Sequence, residues 1–151
     1  MITESLTTIP FVYDDGGRKK SGYRGSTGDC FVRAVAIAAE LDYQYVYDLV
    51  NAYGKRERIT KRKRSKSTAR TGIYARTARK ICDDLGFLWG PTMQIGSGCK
   101  VHLRSSELPQ GRLIASVSKH YCCVIDGKLH DTYDCSRDGT RCVYGYWMLV
   151  E

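Results

Sequence analysis

Long apolar runs are missing from this chain of 151 residues. No segment approaches the roughly 20 consecutive apolar residues that a membrane-spanning helix needs. The segment MITESLTTIPFVYDDGG at the N-terminal end lacks the basic start and the apolar centre of a secretory signal peptide. We therefore expect one domain, residues 1–151, that is made and kept in the cytoplasm.

Regularly spaced cysteines are missing too. The seven cysteines are an odd number without a repeated spacing, which disfavours a disulfide scaffold. Thiols stay reduced in a cytoplasm, so we expect all seven to be free. Cys99 and His102 in CKVH form a single short pair, whereas a structural zinc site normally combines two such pairs. We therefore expect no metal and no cofactor.

Basic residues outnumber acidic ones by 24 to 16, a net charge of +8, but the excess is confined to one block. Residues 54–71, GKRERITKRKRSKSTART, form what we call the basic loop, and the rest of the chain is neutral. Such a block is either a solvated loop or a contact for nucleic acid or an acidic protein. It contains no aromatic residue for base stacking. The candidate contact residues are Arg58, Lys61, Arg62, Lys63, Arg64 and Lys66.

Three segments have helical patterns. Residues 30–41, CFVRAVAIAAEL, are apolar on nearly every face, which predicts a mostly buried helix with Asp29 or Thr27 as its N-cap. YQYVYDLVNAY follows as a second helix that we expect to end at Gly54. A third helix is predicted in TGIYARTARKICDDLGF, with Gly86 as its stop.

The C-terminal half is predicted to form strands, whereas residues 1–25 are rich in turn formers and are predicted to be irregular. RLIASVSKHYCCVID and KLHDTYD are predicted as two strands joined by a turn at Asp126–Gly127, and CVYGYWMLV as a last strand. Helices that precede strands in this way are typical of an α+β fold, in which helices cover an antiparallel sheet.

Cys30 lies where a turn gives way to the first predicted helix. The helix dipole and the free N–H groups of the first turn favour a thiolate and would stabilise an oxyanion, so Cys30 is a candidate nucleophile. The alternative is that Cys30 fills the core, as free cysteines commonly do. A nucleophilic thiol also needs a base, and the three histidines are His102, His120 and His130.

Strand register selects His120 among the three histidines. If Asp126–Gly127 is a two-residue hairpin turn, Cys122 lies opposite Asp131. His120 and Asp131 then lie on the same face as diagonal neighbours within reach of each other, and His130 points to the opposite face. Cys122 shares the face of His120, whereas Cys123 points to the opposite face and is expected to fill the core.

These segments resemble the papain-like cysteine peptidases. The resemblance rests on small residues before GDCF, on the long apolar helix behind Cys30, and on SKHYCCVIDGKLHD further along the chain. It covers residues 22–147 and is nearest to the bacteriocin-processing and NlpC/P60-type branches and to small phage-borne members. The resemblance implies one papain-like domain, in which a C-terminal antiparallel sheet packs on the helix that carries the nucleophile. It implies that Cys30 is that nucleophile, His120 the general base and acid, and Asp131 the orienting carboxylate.

Arg24 stands six residues before the candidate nucleophile, where that family places a glutamine that donates to the oxyanion. The candidate oxyanion donors are therefore Arg24, Ser26 and Thr27. Asp126 at the turn and Asp134 beyond the strand stay open as more distant alternatives for the orienting carboxylate.

From the residues and the resemblance together, we expect a cysteine hydrolase, in the first place a peptidase, that cleaves an amide or thioester bond in a protein or peptide. One alternative is a papain-like binding module with weak or no catalysis, which docks on nucleic acid or an acidic protein through the basic loop. Another is an acyltransferase of the transglutaminase type, because the same three groups serve acyl transfer. If the protein is phage-borne, as the resemblance implies, it acts in the host cytoplasm and not at a membrane.

Overall fold

The computed structural model describes residues 7–25, 27–94 and 96–150. Within these ranges the protein has an α+β fold, which confirms the predicted class. The helices are α1 (Cys30–Ala39), α2 (Tyr43–Lys55) and α3 (Ala75–Asp84), and Ser105–Glu107 form a short 3-10 turn. The strands are β1 (Phe11–Tyr13), β2 (Phe87–Pro91), β3 (Arg112–Val117), β4 (His120–Ile125), β5 (Lys128–Asp131) and β6 (Gly145–Leu149).

The strands of the described residues form one mixed sheet in the order β1-β5-β4-β3-β6-β2. Every neighbouring pair is antiparallel except β1 and β5, which run parallel and align Phe11 with Leu129. The expectation of an antiparallel sheet is therefore wrong at this edge. The prediction that residues 1–25 are irregular is wrong for the three residues of β1. All three residues of β1 are exposed, so no alternation of apolar and polar residues marks this edge strand.

The helix boundaries can be compared with the predicted start and stops. Helix α1 begins at Cys30 as predicted, and α3 is followed by Gly86, whose φ of 91° is the left-handed conformation expected at a helix stop. Helix α2 runs through Gly54 and ends at Lys55, so the stop predicted there is wrong. A Cβ atom at position 54 would lie 2.0 Å from the carbonyl oxygen of Ser67. Gly54 therefore serves close packing of the basic loop against the helix and does not terminate it.

The predicted strand 112–126 is in fact a hairpin, β3 and β4, that turns at Ser118 and Lys119. Lys119 has a φ of 55°, a conformation that lysine rarely adopts, so the turn carries no sequence signal. The turn at Asp126–Gly127 is confirmed. Both residues have positive φ, as a type I′ turn requires, and Cys123 pairs with His130 in the predicted register.

The sheet separates two apolar clusters. The first lies between the sheet and the three helices and includes Val35, Ile81 and Cys123. The second lies on the opposite face, beneath the loops that precede β3 and β6, and includes Leu113 and Cys122. The adjacent cysteines therefore point to opposite faces, as the strand period predicts.

Cys99 and Cys142 form a disulfide, so the expectation that all seven cysteines are free is wrong. An isolated antiparallel bridge between His102 and Cys142 brings their chain segments together, with the two cysteine Cα atoms 5.8 Å apart. The two residues are 43 positions apart, so no local spacing reveals the pair. None of the helices that the structure describes is long and apolar enough to cross a bilayer.

Candidate active site

Cys30 is the first residue of α1 and is partly exposed at a cavity of about 290 Å³. The first backbone N–H groups of a helix, here those of Cys30 and Phe31, have no partner within the helix, and both residues line this cavity. Lys119, His120 and Tyr121 line it as well. Helix α1 and the hairpin of β3 and β4 thus bring the candidate nucleophile and the candidate base to one cavity.

The side chains predicted to cap α1 have other partners. Asp29 is the N-cap residue, but its side chain makes no capping hydrogen bond. Its carboxylate is buried and accepts hydrogen bonds from Arg33 and from the hydroxyl of Tyr43. The Thr27 hydroxyl donates to the carbonyl oxygen of Arg70 at 2.9 Å. The predicted N-cap role is therefore wrong for both side chains, because the buried guanidinium of Arg33 takes the Asp29 carboxylate and the basic loop takes the Thr27 hydroxyl.

His120 and Asp131 make the contact that the hairpin register predicts. His120 begins β4 and Asp131 ends β5, and Nε2 of the imidazole lies 2.7 Å from Oδ2 of the carboxylate. Burial raises the pKa of Asp131, but the hydrogen bond and charge of His120, the Thr132 N–H and the charge of Arg33 lower it below its usual range. An ionised carboxylate is only an acceptor, so Nε2 carries the proton of this bond. Nδ1 remains as the nitrogen that exchanges a proton.

The charge of His120 follows from the same contacts. Burial lowers the pKa of His120, but hydrogen bonds with Asp131, Cys135 and Cys30, and the charge of Cys30, raise it to about 12. The imidazole is therefore protonated near neutral pH in the free protein. A protonated imidazole next to Cys30 is the electrostatic partner that a thiolate needs.

Arg33 connects the pair to α1. Its guanidinium bonds the carboxylate of Asp29 and lies 3.5 Å from Oδ1 of Asp131, and Arg18 approaches Asp29 at 3.4 Å from the other side. Opposite charges thus alternate from Arg18 through Asp29, Arg33 and Asp131 to His120. The spacing of Asp29 and Arg33, four residues apart on one helix, is a signal that the sequence contained.

Cys135 is a residue of this site that sequence reasoning missed. The side chain is only 2% exposed. A hydrogen bond from Cys122 lowers the pKa of the Cys135 thiol, burial raises it, and the bond and charge of His120 lower it further, to a value below the ordinary one. Cys135 follows β5 in a loop, where no register argument places it. Cys122, which we expect at the site from the strand register, is connected to it through the hydrogen bond to the Cys135 thiol.

One set of donor atoms among the described residues is compact enough for a metal ion. Donor atoms of His120, Asp131 and Cys135 lie within 4.8 Å of one another, and imidazole, carboxylate and thiolate are all zinc ligands. The 2.7 Å hydrogen bond already occupies Nε2 of His120 and Oδ2 of Asp131. In CKVH, by contrast, Cys99 is oxidised, so its sulfur is not a thiolate ligand.

The other candidate bases and carboxylates lie elsewhere. Nδ1 of His102 lies 3.1 Å from Glu107, and His130 lines a separate cavity beside β5, where burial lowers its pKa. Asp126 accepts a hydrogen bond from the Gly111 N–H, and Asp134 accepts one from Ser136. These contacts leave Asp131 as the carboxylate bonded to His120.

Neither of the two candidate oxyanion donors within the described residues, Arg24 and Thr27, lines the cavity. Arg24 is exposed and is not among the residues that line the cavity at Cys30, and the Thr27 hydroxyl is bonded to the basic loop. Ser26 lies outside the described residues. Tyr121 does line the cavity, and burial and the charge of Cys30 raise its pKa to about 12, so its hydroxyl stays protonated.

The basic loop contributes to the same cavity through its C-terminal end. The Gly28 N–H, two residues before Cys30, donates to the carbonyl oxygen of Arg70 at 2.6 Å. Thr71, at the end of the loop, forms part of the cavity wall together with the residues that follow it, Gly72 and Ile73. The basic residues of the loop do not line this cavity.

Comparisons with family models, curated proteins and solved structures give no match to this chain. The function therefore rests on the chemistry of the site. A thiol at a helix N-terminus, an imidazole and an ionised carboxylate are the groups that nucleophilic acyl chemistry requires. Here Cys30 and His120 line one cavity, and Asp131 is hydrogen-bonded to His120.

Proposed function

We propose that the protein is a papain-like cysteine hydrolase that cleaves an amide or thioester bond, with a peptide as its preferred class of substrate. One observation carries the proposal. His120 donates a 2.7 Å hydrogen bond to the buried Asp131 and lines the cavity that holds Cys30 at the start of α1. A core cysteine would need neither the oriented imidazole nor the cavity.

The reaction follows from the roles of these groups. The Cys30 thiolate attacks the carbonyl carbon, and the protonated His120 gives its Nδ1 proton to the leaving amine or thiol as the bond to it breaks. The acyl group is then held on Cys30 as a thioester. His120, now neutral, takes a proton from water, whose oxygen attacks the thioester and releases the acid and the Cys30 thiolate. Asp131 keeps the imidazole oriented throughout.

The oxyanion formed in each step needs donors at the same cavity. The backbone N–H of Cys30 is one, because the first turn of α1 leaves it unpaired within the helix. We assign the second to Tyr121, which lines the cavity and whose hydroxyl remains protonated. Tyr121→Phe removes only this hydroxyl and should slow turnover without slowing alkylation of Cys30, which forms no oxyanion.

Alkylation of Cys30 by iodoacetamide tests the proposal directly. We expect peptide mapping to show that Cys30 reacts faster near neutral pH than the buried free thiols and than an unstructured cysteine peptide. His120→Ala should remove that excess rate, because it removes the positive charge beside the thiol. His130→Ala is the matched control and should leave the rate unchanged. A wild-type rate no higher than that of the peptide would refute the nucleophile.

The location of the protein stays a proposal: a catalytic thiol that remains reduced between turnovers favours the cytoplasm, whereas the Cys99–Cys142 disulfide favours an oxidising compartment. Products formed in the presence of an added amine distinguish hydrolysis from acyl transfer, because transfer yields an amide of that amine whereas hydrolysis yields a free acid.

A further inference from the structure

A second cavity, of about 490 Å³, lies between the end of α2, the basic loop and the first turns of α3. It shares no lining residue with the cavity at Cys30. Its charged lining consists of five cationic side chains and one carboxylate. These are Arg56, Arg58, Lys63, Arg76 and Lys80, with Glu57 as the carboxylate.

Glu57 fixes the walls of this cavity. Its carboxylate accepts hydrogen bonds from the N–H and hydroxyl of Ser67 at 2.6 and 2.5 Å and from the hydroxyl of Thr77, and it lies 3.6 Å from Nζ of Lys63. One carboxylate thus ties two parts of the basic loop to α3, and its charge is balanced by Lys63. Because it neutralises Lys63 alone, most of the positive charge at the cavity remains uncompensated.

The remaining cations have no such partner. Among the described residues, no ion pair joins Arg58, Arg76 or Lys80 to a carboxylate. Arg56 packs over the ring of Tyr53 at 5.1 Å. Unpaired cations around a concavity repel one another, so an anion that enters it gains from all of them together.

The cavity is not the surface that the sequence predicted. Of the six candidate contact residues in the basic loop, only Arg58 and Lys63 line it. Lys66 instead donates to the carbonyl oxygen of Lys55 at 2.8 Å. Arg56 also belongs to the basic loop, whereas Arg76 and Lys80 come from α3, so the charges surround one concavity and do not follow a track along the loop.

We propose that this cavity binds a small molecule that carries a diphosphate or triphosphate group. Its volume lies within the range of small-ligand sites, roughly 300–1,000 Å³. Converging guanidinium groups match phosphate oxygens in pairs, and a lysine adds a point charge. A single strand of nucleic acid would need charges along its length and aromatic platforms, and the one aromatic lining residue, Tyr53, has its hydroxyl bonded to Asp84.

Calorimetric titration of the full-length protein with inorganic triphosphate tests this assignment. The double variant Arg76→Gln/Lys80→Gln removes two lining cations from the exposed side of α3. The matched control, Lys61→Gln/Arg62→Gln, removes the same charge from exposed loop residues that do not line the cavity. We expect the wild type and the control to bind with similar Kd and the cavity variant to bind at least about tenfold more weakly, as expected for the loss of charged hydrogen bonds.

Three results would overturn the proposal. The first is no binding of inorganic triphosphate by the wild type. The second is an equal loss of affinity in both double variants, which would mean diffuse attraction by net charge. The third is tighter binding of a short single-stranded RNA than of triphosphate, together with a loss of RNA affinity in the control variant Lys61→Gln/Arg62→Gln. That result would identify a nucleic-acid surface. Thermal unfolding of each variant verifies folding, and an unchanged alkylation rate of Cys30 keeps this test separate from the hydrolase proposal.

Discussion

Arg33 on α1 and Asp131 at the end of β5 lie 3.5 Å apart, guanidinium to carboxylate, in the interior of the protein. They are separated by 98 positions in the chain. The contact joins the helix that begins at Cys30 to the strand that orients His120. It therefore connects Cys30 and His120, the proposed nucleophile and base, and we expect its loss to reduce both the stability of the protein and the reactivity of Cys30.

Replacing Arg33 with Met should destabilise the protein by about 3 kcal/mol, because it leaves buried carboxylates with one cation fewer. It should also slow alkylation of Cys30. Urea unfolding measures the first effect and peptide mapping the second. The control is Glu40→Gln, which breaks the exposed Arg112–Glu40 pair and should cost under about 1 kcal/mol. Equal losses in the two variants would contradict the role given to Arg33.

The free energy of unfolding should fall as the pH rises above neutrality, because folded His120 keeps a proton that the unfolded chain loses. Burial lowers the pKa of His120, but its partners raise it to about 12, whereas an unfolded histidine titrates near 6.5. This contribution is therefore complete below about pH 6.5 and is lost towards pH 12, with a slope of up to about 1.4 kcal/mol per pH unit.

The measurement needs a background in which Cys135 is replaced by serine, since a lowered thiol pKa acts with the opposite sign. Urea unfolding between pH 6.5 and 8 should then show stability decreasing with pH. His120→Gln in the same background should flatten the curve. A slope that persists in the glutamine variant would assign the titration to another group.

Cys135 should not be able to replace Cys30. Although the hydrogen bond from Cys122 and the charge of His120 favour its thiolate, the side chain is 2% exposed and is not among the residues that line the Cys30 cavity. We expect Cys30→Ser to abolish rapid alkylation and turnover, and Cys135→Ser to retain both. Rapid labelling of Cys135 in the first variant, identified by mass spectrometry, would show instead that the nucleophile had been assigned to the wrong thiol.

The disulfide between Cys99 and Cys142 closes a loop over a separation of 43 positions. Opening it should destabilise the protein by about 2–4 kcal/mol, chiefly by freeing the unfolded chain. Cys99→Ser tests this in thermal or urea unfolding. Dithiothreitol should produce a similar shift in the wild type and none in the variant. If the wild type is indifferent to the reductant, the bond contributes nothing under those conditions.

The contact between His120 and Asp131 could be predicted because its physics is local. A two-residue turn fixes strand register, and a period of two then decides which side chains share a face. The turn at Lys119 could not be predicted, because the lysine takes a left-handed conformation that its own preference disfavours.

What the sequence left unresolved is non-local. Cys135, the Cys99–Cys142 bond and the converging cations at Arg76 and Lys80 all depend on loops that only the complete fold brings together. Gly54 shows a related limit: a glycine near a helix end predicts a stop, whereas the close approach of the Ser67 backbone is what requires a glycine at this position. Close approach of two backbones has no local signature.

The turn at Asp126–Gly127 constrains the number of residues in the hairpin as well as their identity. The hydroxyl of Ser105 holds it by donating to the Gly127 carbonyl at 2.7 Å. One residue inserted here would rotate Asp131 to the far side of the sheet while leaving Cys30, His120 and Asp131 in the sequence. Homologues with insertions of odd length at this turn should therefore lack the proposed activity, even where these three residues persist.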